Sequence, residues 1–347
     1  MIQESTKTYI INLQLMKLIG LYQLLNPNAT ILFGYNIYKL GGFISILFLT
    51  LNIIMCNISI YYSQYDFTAV VRYIMFIYAT FFVIIKISFL IIKSDILWNF
   101  ISFTSINFLS YSGHQKYFLM NARIISLIIS NVFAILWVAF IALWIFSPIV
   151  INDSYLNIKS KNSTYMQYRY NTLNLLFPVS TQFYNDNFTI FYLFETIILI
   201  IYGYSMIVFD CLIISFCLTI AFQLRTIASS YSTLGYNHTN NQIKSEENQL
   251  INEKPMDLSN LIVIIQDHQK LTKKIHDIFD EMRPIILFQL LSESILMSLI
   301  PLVLFLNSNN GISLTSTESI KLLSAEIVNT GHLFSACYLF SLIDIYT

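Results

Sequence analysis

Long apolar runs alternate with short polar segments along this 347-residue chain. A helix needs roughly 20 mostly apolar residues to cross about 30 Å of hydrocarbon. Six runs reach that length: Leu40–Tyr62, Phe67–Ile92, Ile124–Ile151, Ile190–Phe222, Ile285–Leu306 (following Pro284) and Ile320–Ile343. Each is apolar around its whole helical circumference, which marks a lipid-embedded helix rather than an amphipathic surface one. The pattern predicts an all-α, polytopic membrane helical bundle of six spans. The fourth run exceeds a bilayer's needs, so its C-terminal part is expected to project into water. The organisation expected is an amphipathic segment over 1–39, four spans over 40–222 with a loop at 152–189, a polar loop and helix over 223–284, and two spans over 285–347.

Composition sharpens this picture. The chain is 56% hydrophobic and only 11% charged, with a mean hydropathy of +0.64, whereas soluble domains carry about 25% charged residues. Lys and Arg collect on one side. Thirteen fall on the amino-terminal side, from Lys7, Lys17 and Lys39 to Lys273, Lys274 and Arg283, against Lys159, Lys161, Arg169 and Lys321 opposite. That bias places the N-terminus in the cytoplasm. N-x-S/T acceptors at Asn152, Asn162 and Asn187 in the opposite loop agree, although Asn28, Asn57 and Asn237 head further copies. No secretory signal pattern precedes residue 36. Cys56, Cys211, Cys217 and Cys337 all fall within spans, so no external disulfide is expected. Zero net charge suggests no nucleic acid or other polyanion as partner; the lipid bilayer is the partner the composition demands.

Two segments break the alternation. INLQLMKLIGLYQLLNP, within residues 1–36, is amphipathic and closed by Asn26-Pro27. It reads either as a helix lying on the membrane surface or as a tail packed on the bundle. The stretch from Tyr236 to Asn248 is polar and reads as disordered. Helical periodicity then returns, with Leu261, Ile264, Ile265, His268, Leu271, Ile275 and Ile278 on one face. This stripe needs a protein surface, within the subunit or across a subunit boundary.

Enzymatic constellations are missing: no H-E-x-x-H, no G-x-S-x-G, no phosphate-binding glycine loop, no Cys/His metal spacing. No cofactor is implied. The histidines are scattered and read as ordinary interface or solvent residues. Arg72 and Lys86 sit near opposite ends of the second span and are expected to snorkel to the headgroups, and Asp210 to have reached the membrane boundary. Glu293 and Glu326 lie deeper and need a polar partner or a proton. Aromatic residues gather on the far halves of spans two to four. Tyr73, Ile77, Tyr78, Phe81, Trp137, Phe140, Trp144, Tyr192, Leu199 and Tyr202, with Glu195 either solvated or facing a cavity, are candidates for an apolar ligand pocket. Packing and interfacial roles are the alternative for each.

Three stretches carry a resemblance: LMKLIGLYQLLNP, FDCLIISFCLTIAFQLRTI and, most specifically, HQKLTKKIHDIFDEMRPIILFQLLSESILMS (His268–Ser298). They are similar to the insect odorant receptors, as are the inward N-terminus and the long fourth-to-fifth loop. The resemblance implies an odorant-gated cation channel that needs no G protein. Its ligand-tuned subunit joins a shared co-receptor in a hetero-tetramer, in the plasma membrane of a sensory-neuron dendrite. It also implies odorant binding in the outer half of spans two, three, four and six. Subunit contacts would involve Leu261, Ile264, His268, Leu271, Ile275 and Ile278. Glu293 departs from the family, which usually has a small polar residue there. The family's seventh, pore-lining span would lie beyond Thr347, so this stretch is expected not to conduct unaided. A gustatory receptor of the same superfamily is the nearest alternative. A G-protein-coupled receptor would need an outside N-terminus and an external disulfide, and a membrane enzyme or transporter would need a site that the chain does not show.

Overall fold

The structure, a computed structural model, describes residues 8–32, 35–111, 114–151, 154–159, 165–233, 258–313 and 315–346. The stretch read as disordered and the acceptors Asn152, Asn162 and Asn237 lie outside the described residues.

Ten α-helices account for most of the described chain: α1 (Leu13–Leu18), α2 (Leu21–Leu25), α3 (Ile37–Tyr62), α4 (Phe67–Ile92), α5 (Ser94–Ile101), α6 (Lys116–Val150), α7 (Thr181–Asp186), α8 (Phe188–Thr233), α9 (Leu258–Asn309) and α10 (Thr317–Tyr346). Two antiparallel pairs interrupt them, β1–β2 (Ile31–Leu32, Tyr35–Asn36) and β3–β4 (Tyr155–Lys159, Tyr165–Arg169). The protein is an all-α membrane bundle. Among the described residues, five helices, α3, α4, α6, α8 and α9, are long and apolar enough to cross a bilayer. The sixth segment expected is α10, 30 residues long and packed on α6, α8 and α9.

Local chemistry sets the helix starts. Asn36 accepts from the amides of Tyr38 and Lys39, and Asp66 from Ala69, so three orphan N-terminal groups find side-chain partners. Helix α9 runs 52 residues through Pro284 and Pro301, about 78 Å at ~1.5 Å per residue. It joins the periodic stripe to the fifth span in one rod. Helix α8 is the hub, touching α3, α4, α6, α9 and α10. Helices α3 and α6 instead display Phe43, Leu47, Leu51, Ile128, Ile135 and Phe146 outward, as a lipid-facing periphery requires. Gly203 permits the tight α6–α8 approach: a Cβ there would fall 2.0 Å from Ile141 Cδ1.

The amino-terminal segment is packed on the bundle. Leu13, Met16, Leu21, Leu24 and Leu25 are buried in a core shared with Phe209, Leu212 and Ile278. Gly20, at φ +72°, breaks the expected helix into α1 and α2 because the left-handed region favours glycine.

The α9 stripe also packs within its own subunit. Ile264, Leu271 and Ile278 are fully enclosed in that same core, and Ile275 packs against it. Side chains expected at a subunit contact are thus covered by their own chain. Leu261 is half-buried and His268 exposed, the latter edge-on to Tyr231 at 6.0 Å.

Candidate functional site

Call the end of the bundle bearing β3–β4 the hairpin end. About ten residues below it, α3, α4, α6, α8, α9 and α10 surround a cavity of about 80 Å³. Its wall combines Phe76, Phe140, Trp144, Ile198, Leu199, Tyr202, Leu296 and Ile300 with the polar residues Asn52, Thr80 and Asn329. The volume would hold several waters but is below the ~150 Å³ of a benzene-binding engineered cavity. A ligand larger than that must move side chains.

Segment 170–176 forms the roof, bringing Leu173 into the wall. A buried loop must satisfy its backbone, and Glu195 does so. Its carboxylate accepts from the amides of Leu173 (2.5 Å), Asn174 (3.1 Å) and Leu175 (2.9 Å). Tyr73 Oη donates to the Asn174 carbonyl at 2.6 Å, and Ser59 Oγ accepts from the Leu176 amide at 2.8 Å. Asn174 sits at φ +57°, a conformation that asparagine tolerates.

The sequence candidates therefore separate. Phe140, Trp144, Leu199 and Tyr202 line the cavity. Trp137 stands behind them, edge-on to Phe140 at 5.5 Å and Tyr202 at 6.3 Å. Ile77 packs into the surrounding core. Three tyrosines serve structure: Tyr73 holds the roof, Tyr78 donates to Ser292 Oγ at 3.2 Å, and Tyr192 to the Ile145 carbonyl at 3.0 Å. Glu195 is neither solvated nor part of the wall, because three amides claim its oxygens. Phe81 is 50% exposed on the outside of the bundle; it is Phe82, one residue on, that turns inward.

The charges in the spans pair with one another, where the sequence asked for a polar partner only at Glu293 and Glu326. Arg72 does not snorkel; it is buried and pairs with Glu318. Farther from the hairpin end than the cavity, Lys86 Nζ lies 3.3 Å from Asp210 Oδ1. His332 bridges Asp210 (2.9 Å) and Glu293 (2.6 Å), and Lys86 also rests on the rings of Phe82 and Phe209. Four helices that line the cavity each supply one member: α4 Lys86, α8 Asp210, α9 Glu293 and α10 His332. Asp210 is thus central rather than at a boundary, and His332 is no solvent residue. The available signal was the near balance of cations and acids inside apolar spans, which demands pairing.

A second polar joint lies outside the spans. Asp267 on α9 accepts from the amides of Ser110 and Tyr111, both at 2.8 Å, and from His114 Nε2 at 3.1 Å. His114 Nδ1 meets Ser230 Oγ at 2.6 Å. Burial pushes the Asp267 carboxyl up, but the two amides and His114 outweigh it and hold it below the usual carboxylate range. Burial also pushes the His114 imidazole below its ordinary value, against the pull of Asp267.

The profile of the 7tm odorant receptor family matches residues 66–338. The chain belongs to that family. It is not a family of enzymes. Among solved structures, the receptor resembles the insect olfactory receptor OR5 from Machilis hrabei, with a TM-score of 0.65 at 13% identity, covering 96% of this chain and 80% of that one. The structure of OR5 in complex with eugenol is equally similar, with a TM-score of 0.66 at 13% identity and coverage of 94% and 78%. At that identity the likeness establishes the shared fold. No curated protein matches the receptor by sequence.

Proposed function

We propose that the receptor binds small, volatile, largely apolar molecules in the aromatic cavity and acts as the ligand-tuned subunit of an odorant-gated cation channel. One observation carries this reading: a member of the odorant receptor family encloses an apolar cavity with a few polar groups, the usual make-up of a small-molecule site. The eugenol complex of OR5, a protein of the same fold, supports a small aromatic or aliphatic ligand. Phe140, Trp144, Leu199 and Tyr202 would touch it, with Trp137 behind them. The Lys and Arg bias supports a cytoplasmic amino-terminal end and a hairpin end on the opposite side, and membership of the odorant receptor family supports a place in the plasma membrane. Gating follows if the ligand binds the open state more tightly than the closed one. A co-receptor would complete the tetramer, and the exposed part of α9 around Ile265 and His268 remains for contact between subunits. No G protein and no catalysis enter this scheme.

The receptor, with any coding sequence that follows Thr347, should be coexpressed with the co-receptor and challenged with a broad volatile panel. Odour-evoked cation current is the expected result. Silence across the panel at normal surface expression would refute the proposal.

A further inference from the structure

We infer that the cavity selects ligands bearing a terminal acceptor oxygen, as in ketones, aldehydes, esters and carboxylic acids, and that Lys321 is the residue that recognises it. This inference rests on the cavity's being the odorant site. Lys321 lies one helical turn from Ala325 and two from Asn329, both in the cavity wall, so the three share one face of α10. Its side chain is 97% enclosed, since its relative exposure is 3%. Nζ donates to the carbonyls of Thr172 (3.0 Å) and Asn171 (3.3 Å), the residues preceding the roof's Leu173. It also stands 5.3 Å from the ring of Trp144, which lines the cavity, and 4.4 Å from that of Tyr170.

An ammonium has three donors, and two are accounted for. No carboxylate lies within ion-pairing distance of Lys321 among the described residues. Burial acts against its charge most strongly; Glu195 and Glu318 favour the charge from farther off, and Arg72 repels it. A buried cation left in that state is costly unless something completes its shell. A second observation points the same way: Trp144 Nε1 is buried with no partner among the described residues. Two donors thus lack acceptors around one ring of the wall, at the hairpin side of the cavity. A ligand with an apolar body toward Leu199 and Ile300 and an oxygen toward Lys321 and Trp144 satisfies both. An alkane leaves both bare, and an amine adds a like charge.

The test is direct binding to the purified chain in lipid nanodiscs, read by tryptophan fluorescence, using methyl butyl ketone, hexane and hexylamine. The ketone should bind at least about tenfold more tightly than hexane, and hexylamine least. Lys321→Met should bring ketone and alkane within about threefold of each other. Trp144→Phe, which keeps an aromatic face, removes the donor and is followed by isothermal titration calorimetry because it also removes the cavity's fluorophore, should narrow the gap even if Lys321→Met fails to fold. Equal binding of ketone and alkane by the unaltered chain, or a gap unchanged in the variants, would overturn the inference while leaving the odorant cavity standing. Binding of no volatile at all would sink both.

Discussion

Lys86 and Asp210 meet at 3.3 Å with both side chains wholly enclosed, one on α4 and the other on α8. Neither charge can reach water, so each depends on the other, on His332 and on the flanking rings. Removing one partner of such a pair costs about 3–5 kcal/mol, because the other is left buried and uncompensated. Lys86→Met and Asp210→Asn should each sharply lower the melting temperature of detergent-solubilised receptor. The double variant should recover part of the loss, which a double-mutant cycle would show as coupling. Strict additivity would mean that the pair is not a unit.

Glu195 predicts a local effect. Glu195→Gln keeps the shape but offers one acceptor oxygen where three amides converge. An unmatched buried donor costs about 1–3 kcal/mol. Hydrogen exchange at Leu173 and Leu175 should speed up with little change in the distant α9 helix. Unchanged protection at the roof would show that the carboxylate does not hold it.

At Gly203 the question is space. Any Cβ there would collide with Ile141 Cδ1 and Cγ1, at 2.0 and 2.5 Å, so α6 or the isoleucine must move. Gly203→Ala should cost about 1–3 kcal/mol, as overpacking typically does. Because Tyr202 is adjacent and lines the cavity, ligand affinity should fall as well. Adding Ile141→Ala should restore stability; if it does not, the clash is not the cause.

Five spans were legible because a bilayer imposes one requirement, length with apolarity, that α3, α4, α6, α8 and α9 each meet alone. The aromatic wall was partly legible for the same reason: Phe140, Trp144, Leu199 and Tyr202 lie on the inward faces of helices whose position was readable. What stayed hidden depends on pairing between distant segments. Arg72 and Lys86 looked like boundary charges because Glu318 and Asp210 stand 246 and 124 residues away. The same holds for Glu195, whose partners belong to a loop with no periodicity. The α9 stripe was correctly read as a face needing cover, but periodicity does not say whether the cover comes from the same chain.

The joint between Asp267 and His114 gives a pH dependence whose sign is fixed. His114 titrates below its ordinary value in the folded receptor, so the unfolded chain binds its proton more readily. Its contribution is complete above the unfolded value of about 6.5 and is lost as pH falls through the lower folded value. Asp267 is also held low; its contribution fades only below about pH 3.9, outside the cellular range. Between pH 7.5 and 5.5 the change therefore belongs to His114. Neutral His114 donates through Nε2 to Asp267, with Nδ1 facing a Ser230 hydroxyl that also serves the Thr226 carbonyl, and burial is the main force opposing a second proton on the ring. Protection of the Ser110 and Tyr111 amides, measured relative to their intrinsic exchange rate at each pH, should fall on acidification, as α9 loosens from the loop before α6. In His114→Gln, which cannot titrate, the protection of the same amides relative to intrinsic exchange should stay constant between those values. A variant that kept the full acid response would place the sensor elsewhere.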